Sequence, residues 1–302
     1  MEKLTEKLIG GLHDIPTPTD YESEHILGSL PMPEHGMVDL LNGIKIHDQG
    51  GTYHCTAYAL THVMQILQTI EHNMRVDLDP EEQWSNQINH GSAKEGWGDS
   101  FVSALKMLKK YGLKEQNTHV TETGVFVIDG YSHVTKTADV YRAHLAAGFP
   151  IYTGFPITSD NWRRRRTEGY LPPLNPPING GHCIIISGYD DDDESFVLAD
   201  NYGQDWGYFH NGTYRIKYSN LNLLYNGYIV FDSKDLRMIF RDVSEKSPHA
   251  ENIEWCLENE IIKGYDSENI EDPNKRFYLP EQPVSRAELA TIMRRLYNLL
   301  KK

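Results

Sequence analysis

Cysteine is scarce, at three in 302 residues. So few, and an odd number, cannot form a disulfide framework, and at least one thiol stays free within the chain. Positive charge is in deficit, with 29 Lys and Arg against 43 Asp and Glu and a net charge of −14. That balance argues against a general nucleic-acid binder, because phosphate recognition draws on clustered Lys and Arg. No uninterrupted apolar run approaches the ~18–20 residues that cross a bilayer. The segment Met1 to Asp14 carries charges throughout and lacks the apolar centre of a signal peptide. Repeats at a fixed period are missing too. What remains, 39% hydrophobic and 24% charged residues, is ordinary globular composition. The length suits two domains of about 150 residues, or one large domain and a small appendage.

Residues 1–35 read as a leader rich in turn signals, including Pro16, Pro18, Pro31 and Pro33. Next, Ala57, Leu60, Val63, Met64, Leu67 and Ile70 recur at spacings of three and four, which predicts a helix from Thr56 to about Asn73 with one buried face. Further helices are expected from Asp99 to Tyr111, closed by Gly112, and from Thr137 to Ala147, stopped by Gly148. Beyond Phe149 the runs become short and aromatic or β-branched, predicting strands at 150–155, 183–189, 195–199, 213–218 and 227–232. Helices first and strands later define an α+β domain with segregated layers, spanning 36–239. From Phe240 onward an amphipathic helical pattern returns. Residues 240–302 hold 10 basic and 12 acidic residues, so the first 239 carry −12 of the −14.

The chemistry centres on Cys55, which directly precedes the first long helix. The positive end of a helix macrodipole favours a thiolate there, and a thiolate beside an imidazole is an activated nucleophile. Gln49, six residues upstream, has a side-chain amide that would donate to a developing oxyanion together with the Cys55 N–H. The bland alternative is a small buried residue at a core helix. His182 opens an apolar strand behind Gly180 and Gly181, and alternation places Cys183 on the opposite face, in the core. Asp200 and Asn201, at the end of the next strand, supply a carboxylate and an amide to orient the imidazole. Only one of these neighbours can face it, and Asp200 is the preferred partner.

Taken in order, these segments resemble the papain-like cysteine peptidases. That family shows Gln-Gly-x-x-x-x-Cys at its central helix, a His about 130 residues later, then Asn-Ser-Trp-Gly-x-x-Trp-Gly before a Gly-Tyr-x-Arg-Ile strand. Here Gln49 and Cys55 keep the spacing, His182 follows Cys55 by 127 residues, and Gly212-Thr213-Tyr214-Arg215-Ile216 matches the closing strand. The resemblance spans about residues 30–235. It implies a two-lobed fold, with a helical lobe and an antiparallel β lobe, and a substrate cleft between them. It also implies a peptide or protein substrate and needs no cofactor or metal. Gly96, Trp97 and Gly98, with Gly181, correspond to backbone that pairs with extended substrate, although a plain turn explains the first three equally well. No helical prodomain pattern precedes the domain.

The sequence departs from the family in two places. Asp200 aligns with the family's Asn, Tyr202 with its shielding Trp, and Trp206 with its second Trp. Around the nucleophile, Tyr53, His54 and Thr56 replace the usual neighbours, and the His54 ring is expected to point away. Two charge runs read as solvated: Arg163–Arg166 as loop charges, and Asp190–Glu194 as a hairpin turn without the ligand spacing of a calcium loop.

The tail resembles a single S-layer homology module, with Phe240-Arg241-Asp242-Val243, Ile261-Ile262-Lys263-Gly264-Tyr265 and Ser285-Arg286-Ala287-Glu288. Ser285 and Glu288 have the spacing of a capping box. The resemblance implies that Arg286 contacts an anionic cell-wall polysaccharide, and that the small module is helical. Such modules often come in threes; with one copy, trimerisation through the tail, weak binding or an interaction role all stay open. The leading expectation is a thiol endopeptidase targeted by its tail; the alternative is a silent papain-like scaffold that binds a cell envelope or virion. The wall-binding resemblance points outside the cell, and the N-terminus points inside. A phage-encoded protein satisfies both.

Overall fold

A computed structural model describes residues 30–72, 75–116 and 126–231, together with 265–266, 276–277 and 292–293. The described residues fall into two compact units, 30–231 in the first and the fragments beyond residue 233 in the second.

In the first unit, strands β1 (Met37–Asp39), β2 (Gly130–Val134), β3 (Ile151–Ile157), β4 (Gly180–Asp190), β5 (Ser195–Ala199), β6 (Thr213–Lys217) and β7 (Gly227–Phe231) form one seven-stranded sheet. Its order is β2-β7-β3-β4-β5-β6, with β1 on β4, and every pairing is antiparallel. The helices are α1 (Cys55–His72), α2 (Pro80–His90), α3 (Phe101–Tyr111), α4 (Ala138–Ala146) and α5 (Ser159–Glu168). This is the expected α+β arrangement of a helical layer against an antiparallel sheet.

Helix α1 follows its apolar spacing. Ala57, Leu60, Val63, Met64 and Leu67 are buried, while Ile70, expected on the same face, is half-exposed. Its buried face shares a core cluster with Phe101, Leu105 and Leu108 of α3 and with Tyr152, Cys183 and Ile185 of the sheet. α3 starts on the Ser100 side chain, which accepts the Ser103 N–H, and ends at Gly112 with φ +69°. α4 has the same logic, with Thr137 as its N-cap.

Two helices were not expected. α2 has its start signals, an Asp79 cap, Pro80 in the first turn, then Glu81 and Glu82, but little apolar periodicity. α5 corrects the reading of Arg163–Arg166 as a loop: Thr158 and Asn161 form a capping box that starts a helix through all four arginines. The strands β1 and β2 were also missed, β1 lying in turn-rich sequence next to the expected leader.

The Asp190–Glu194 segment is a hairpin turn between β4 and β5, but its carboxylates are not simply solvated. Asp191 pairs with Arg142 and accepts from Tyr218, while Asp193 bonds Tyr170, Ser195, Arg215 and Lys217. These partners hold both carboxyls below the ordinary range, against the opposing effect of burial.

The second unit is described only in fragments: a two-stranded pair, β8 (Tyr265–Asp266) with β9 (Arg276–Phe277), and a helical turn at Ile292–Met293. Apart from that turn, the expected helices of the module lie outside the described residues, as do Arg286 and Cys256.

Candidate active site

Cys55 is the first residue of α1, so its side chain sits at the positive end of the helix. The residues before it form a turn in which Gly50 has φ +59°, and the Gln49 side chain donates to the Thr52 carbonyl at 2.8 Å. That bond uses one of the two amide N–H groups of Gln49.

The same turn is fastened to the end of β5. Gln49 N–H donates to the Asn201 carbonyl at 2.8 Å, Gly203 N–H donates to the His47 carbonyl at 3.2 Å, and Asp48 bridges Tyr202. Residues about 150 positions apart are thereby side by side.

His182 lies near the start of β4, opposite Phe155 of β3. Gly154 is what allows the close approach here: a Cβ on it would fall 2.2 Å from the His182 carbonyl oxygen. The His182 Nε2 pairs with Asp200 Oδ1 at 2.7 Å. Asn201 turns elsewhere, its Nδ2 donating to the Cys183 carbonyl at 2.8 Å and to the Cys55 carbonyl at 3.4 Å. One amide thus ties the start of α1 to the strand of the histidine. Cys183 is in the core, its thiol donating to the Thr153 carbonyl at 3.3 Å.

Rings enclose the imidazole. Tyr202 stacks on it with centroids 5.9 Å apart, Trp162 meets it edge-on at 5.0 Å, and Trp206 stacks on Tyr202 at 5.6 Å. The result is a closed site in which Cys55 is 1% exposed and His182 is 2% exposed. Burial pushes the His182 imidazole down from its ordinary value, with Asp200 opposing. Asp200 is held below the carboxylate range despite its burial, because Arg165 and His182 favour its charge.

Arg165 is the residue that sequence reading missed here. It is 2% exposed, and its Nε donates to Asp200 Oδ2 at 3.0 Å. A run of four arginines gives no sign that one of them turns inward. The nearest signal was Trp162, three residues earlier on the same helix face.

His54 points toward α2, where it stacks on Trp84 at 4.2 Å and contacts Glu81 at 3.1 Å. Gly96, Trp97 and Gly98 form a tight turn before α3. Gly98 spends both its N–H and its carbonyl on Lys94, at 3.2 and 3.1 Å. What this turn offers to solvent is the Trp97 ring, 53% exposed. Gly181 pairs with Pro156 across β3 and β4. Among the described residues no helix is long and apolar enough to cross a membrane, and no cluster of three metal-ligating side chains occurs.

A helix opening on cysteine, packed against an antiparallel sheet with a carboxylate-paired histidine, defines the papain-like cysteine protease fold. The sequence model of the Peptidase_C39 like family matches residues 42–223, and the chain belongs to that family. An S-layer homology domain matches residues 239–290. The first unit is similar to xylellain, a cysteine protease from Xylella fastidiosa, with a TM-score of 0.62 at 19% identity over 77% of this chain and 99% of that one. It is also similar to procathepsin B S9 from Trypanosoma congolense, with a TM-score of 0.59 at 14% identity over 76% and 89% of the two chains. An uncharacterized peptidase C1-like protein of Acanthamoeba polyphaga mimivirus is 21% identical over 72% of this chain and 79% of its own length.

Proposed function

We propose that this peptidase-family chain is a cysteine endopeptidase in which Cys55 is the nucleophile and His182 the general base and acid. The observation that carries the reading is the His182–Asp200 pair, joined through the neighbouring Asn201 to the first residue of α1. With Nε2 committed to Asp200, Nδ1 is the nitrogen that exchanges a proton with the thiol. The thiolate attacks the scissile carbonyl, and the oxyanion is held by the Cys55 N–H and the Gln49 amide. The imidazolium then gives its proton to the leaving amine as the C–N bond breaks. Water, deprotonated by the same nitrogen, cleaves the thioester and regenerates the thiol.

Site-specific alkylation tests this assignment. Iodoacetamide is expected to label Cys55 at pH 6 at least ~10-fold faster than Cys183, with the excess lost in His182→Ala. Equal rates at the two cysteines in the folded protein would overturn it.

Trp97 is the proposed contact for a substrate side chain. Trp97→Ala is expected to raise KM by about 10-fold with kcat nearly unchanged, the signature of binding felt equally in ground and transition states. An unchanged KM across a peptide library would remove Trp97 from the site.

The near-complete burial of Cys55 and His182 favours a second reading, a closed scaffold that works by binding. For either reading we propose that residues 240–302 target the protein to cell-wall polysaccharide, which the S-layer homology match supports. Purified wall material should retain the full chain and release a chain ending at residue 239. Equal retention of both would remove the targeting role.

A further inference from the structure

Of the four arginines in α5, three meet solvent or the helix's own acids; Arg164, for example, pairs with Asp160 and Glu168. Arg165 instead enters the protein. Its guanidinium lies 3.6 Å from the Trp162 ring centroid, 4.9 Å from that of Trp206, 5.7 Å from Tyr202 and 6.0 Å from Phe155. It also donates to the Trp162 carbonyl. Three of these four rings contact His182 directly. Asp200 divides its oxygens: Oδ1 takes His182 Nε2 and the Asn201 N–H, and Oδ2 takes Arg165 Nε.

A fully buried carboxylate requires a compensating charge, and the imidazole is a poor one because it changes charge during the reaction. We propose that Arg165 is a positioning residue for the reaction centre. By cancelling the charge of Asp200, it lets a guanidinium–carboxylate pair orient His182 as a neutral group would. The assignment deepens the endopeptidase reading and rests on it. It makes Asp200 and Arg165 a unit that tolerates joint replacement better than single replacement.

The charged and titratable groups around the pair are His182 on β4, Asp200 and Tyr202 after β5, and Tyr214 on β6. On α1, His62 faces Asp200 and Cys55 faces Tyr202. The Arg165 charge opposes protonation of His182, and that of Asp200 favours it.

The test is the pH profile of kcat/KM and of Cys55 alkylation in four variants, with thermal unfolding in parallel. Arg165→Met leaves Asp200 uncompensated, so the alkaline limb set by His182 should rise by about one pH unit. Asp200→Asn leaves Arg165 uncompensated, so that limb should fall by about one unit. Arg165→Lys keeps the charge and should hold the limb in place. The double variant Arg165→Met/Asp200→Asn should return the limb to the wild-type position and exceed Asp200→Asn in turnover by about 10-fold or more. Where a single variant fails to fold, a folded double variant supports the same coupling. The assignment is overturned if Arg165→Met leaves the limb unmoved, or if the double variant shows the summed losses in activity and stability. A wild-type Cys55 whose alkylation shows no dependence on His182 defeats the endopeptidase reading itself, and this is read before any Arg165 variant is compared.

Discussion

Replacing Cys55 with alanine is expected to lower peptide-bond turnover by about 10⁴-fold or more while the protein stays folded. The proposed chemistry has no other route: without the sulfur no thioester forms, and His182 has only water to activate. The fold is expected to tolerate the change, because Cys55 lies in the core cluster beside Ala59 and loses a single heavy atom, at a cost of about 1 kcal/mol. Cys183→Ala is the matched control. It removes a thiol from the adjoining core, where Cys183 bonds the Thr153 carbonyl, and should keep turnover within a few-fold. A fluorogenic peptide library with thermal unfolding of each variant reads both effects. Turnover surviving in Cys55→Ala would end the nucleophile assignment.

The second large effect is a loss of stability on mild acidification, centred on His62 of α1. This ring is fully buried; its Nε2 accepts the His47 backbone N–H at 2.9 Å, and His47 stacks on it with centroids 5.8 Å apart. Accepting at Nε2 leaves the proton on Nδ1, which has no hydrogen-bond partner among the described residues. Burial, with the neighbouring His47, pushes the His62 imidazole down to about 3. His47 and His182 are lowered as well, chiefly by burial.

The sign follows from linkage. Well above pH 6.5 the His62 and His47 rings are neutral in both the folded and unfolded chains. As pH falls below 6.5 the unfolded chain takes up protons that the native state refuses, so stability drops, levelling off for His62 only near pH 3. Each fully refused proton costs about 1.4 kcal/mol per pH unit. Between pH 7 and pH 4.5 the His62 share is about 3 kcal/mol, or roughly 6–12 °C in Tm for a unit of this size. Asp200 adds a further loss below pH 4, because its carboxyl is held low in the folded state. His62→Gln, which can still accept from the His47 N–H and does not titrate, should flatten the dependence over this range. Parallel Tm curves for wild type and variant would show that the ring does not set the slope.

Both predictions depend on residues that differ in how visible they were in the sequence. Cys55 and α1 were legible because a helix with one buried face leaves a three-and-four spacing. Strand β5 matched its expected bounds, Ser195–Ala199, because short β-branched and aromatic runs between turn residues have few alternatives. His182 and Asp200 were legible as candidates through the order of motifs along the chain. Arg165 was not, since its sequence neighbourhood is the most hydrophilic of any helix here, and burial of one arginine in four depends on rings supplied by β3 and by the loop after β5. The Trp97 turn lies between these cases: its glycines announced a turn, and only the pairing of Gly98 with Lys94 showed that its backbone is occupied.

By itself, then, the sequence determined the α+β layering, the place of the thiol at a helix start and the choice of His182 as a candidate. All three are written in local periodicity, turn chemistry and motif spacing, which act over a few residues. The tertiary structure alone decided where Asn201 goes and how the charge of Asp200 is balanced, and it set Asp200, the partner the sequence favoured, against His182. Those outcomes depend on contacts between segments far apart in the chain, and on the cost of burying a charge, which must be met by whatever group the fold brings within 3 Å.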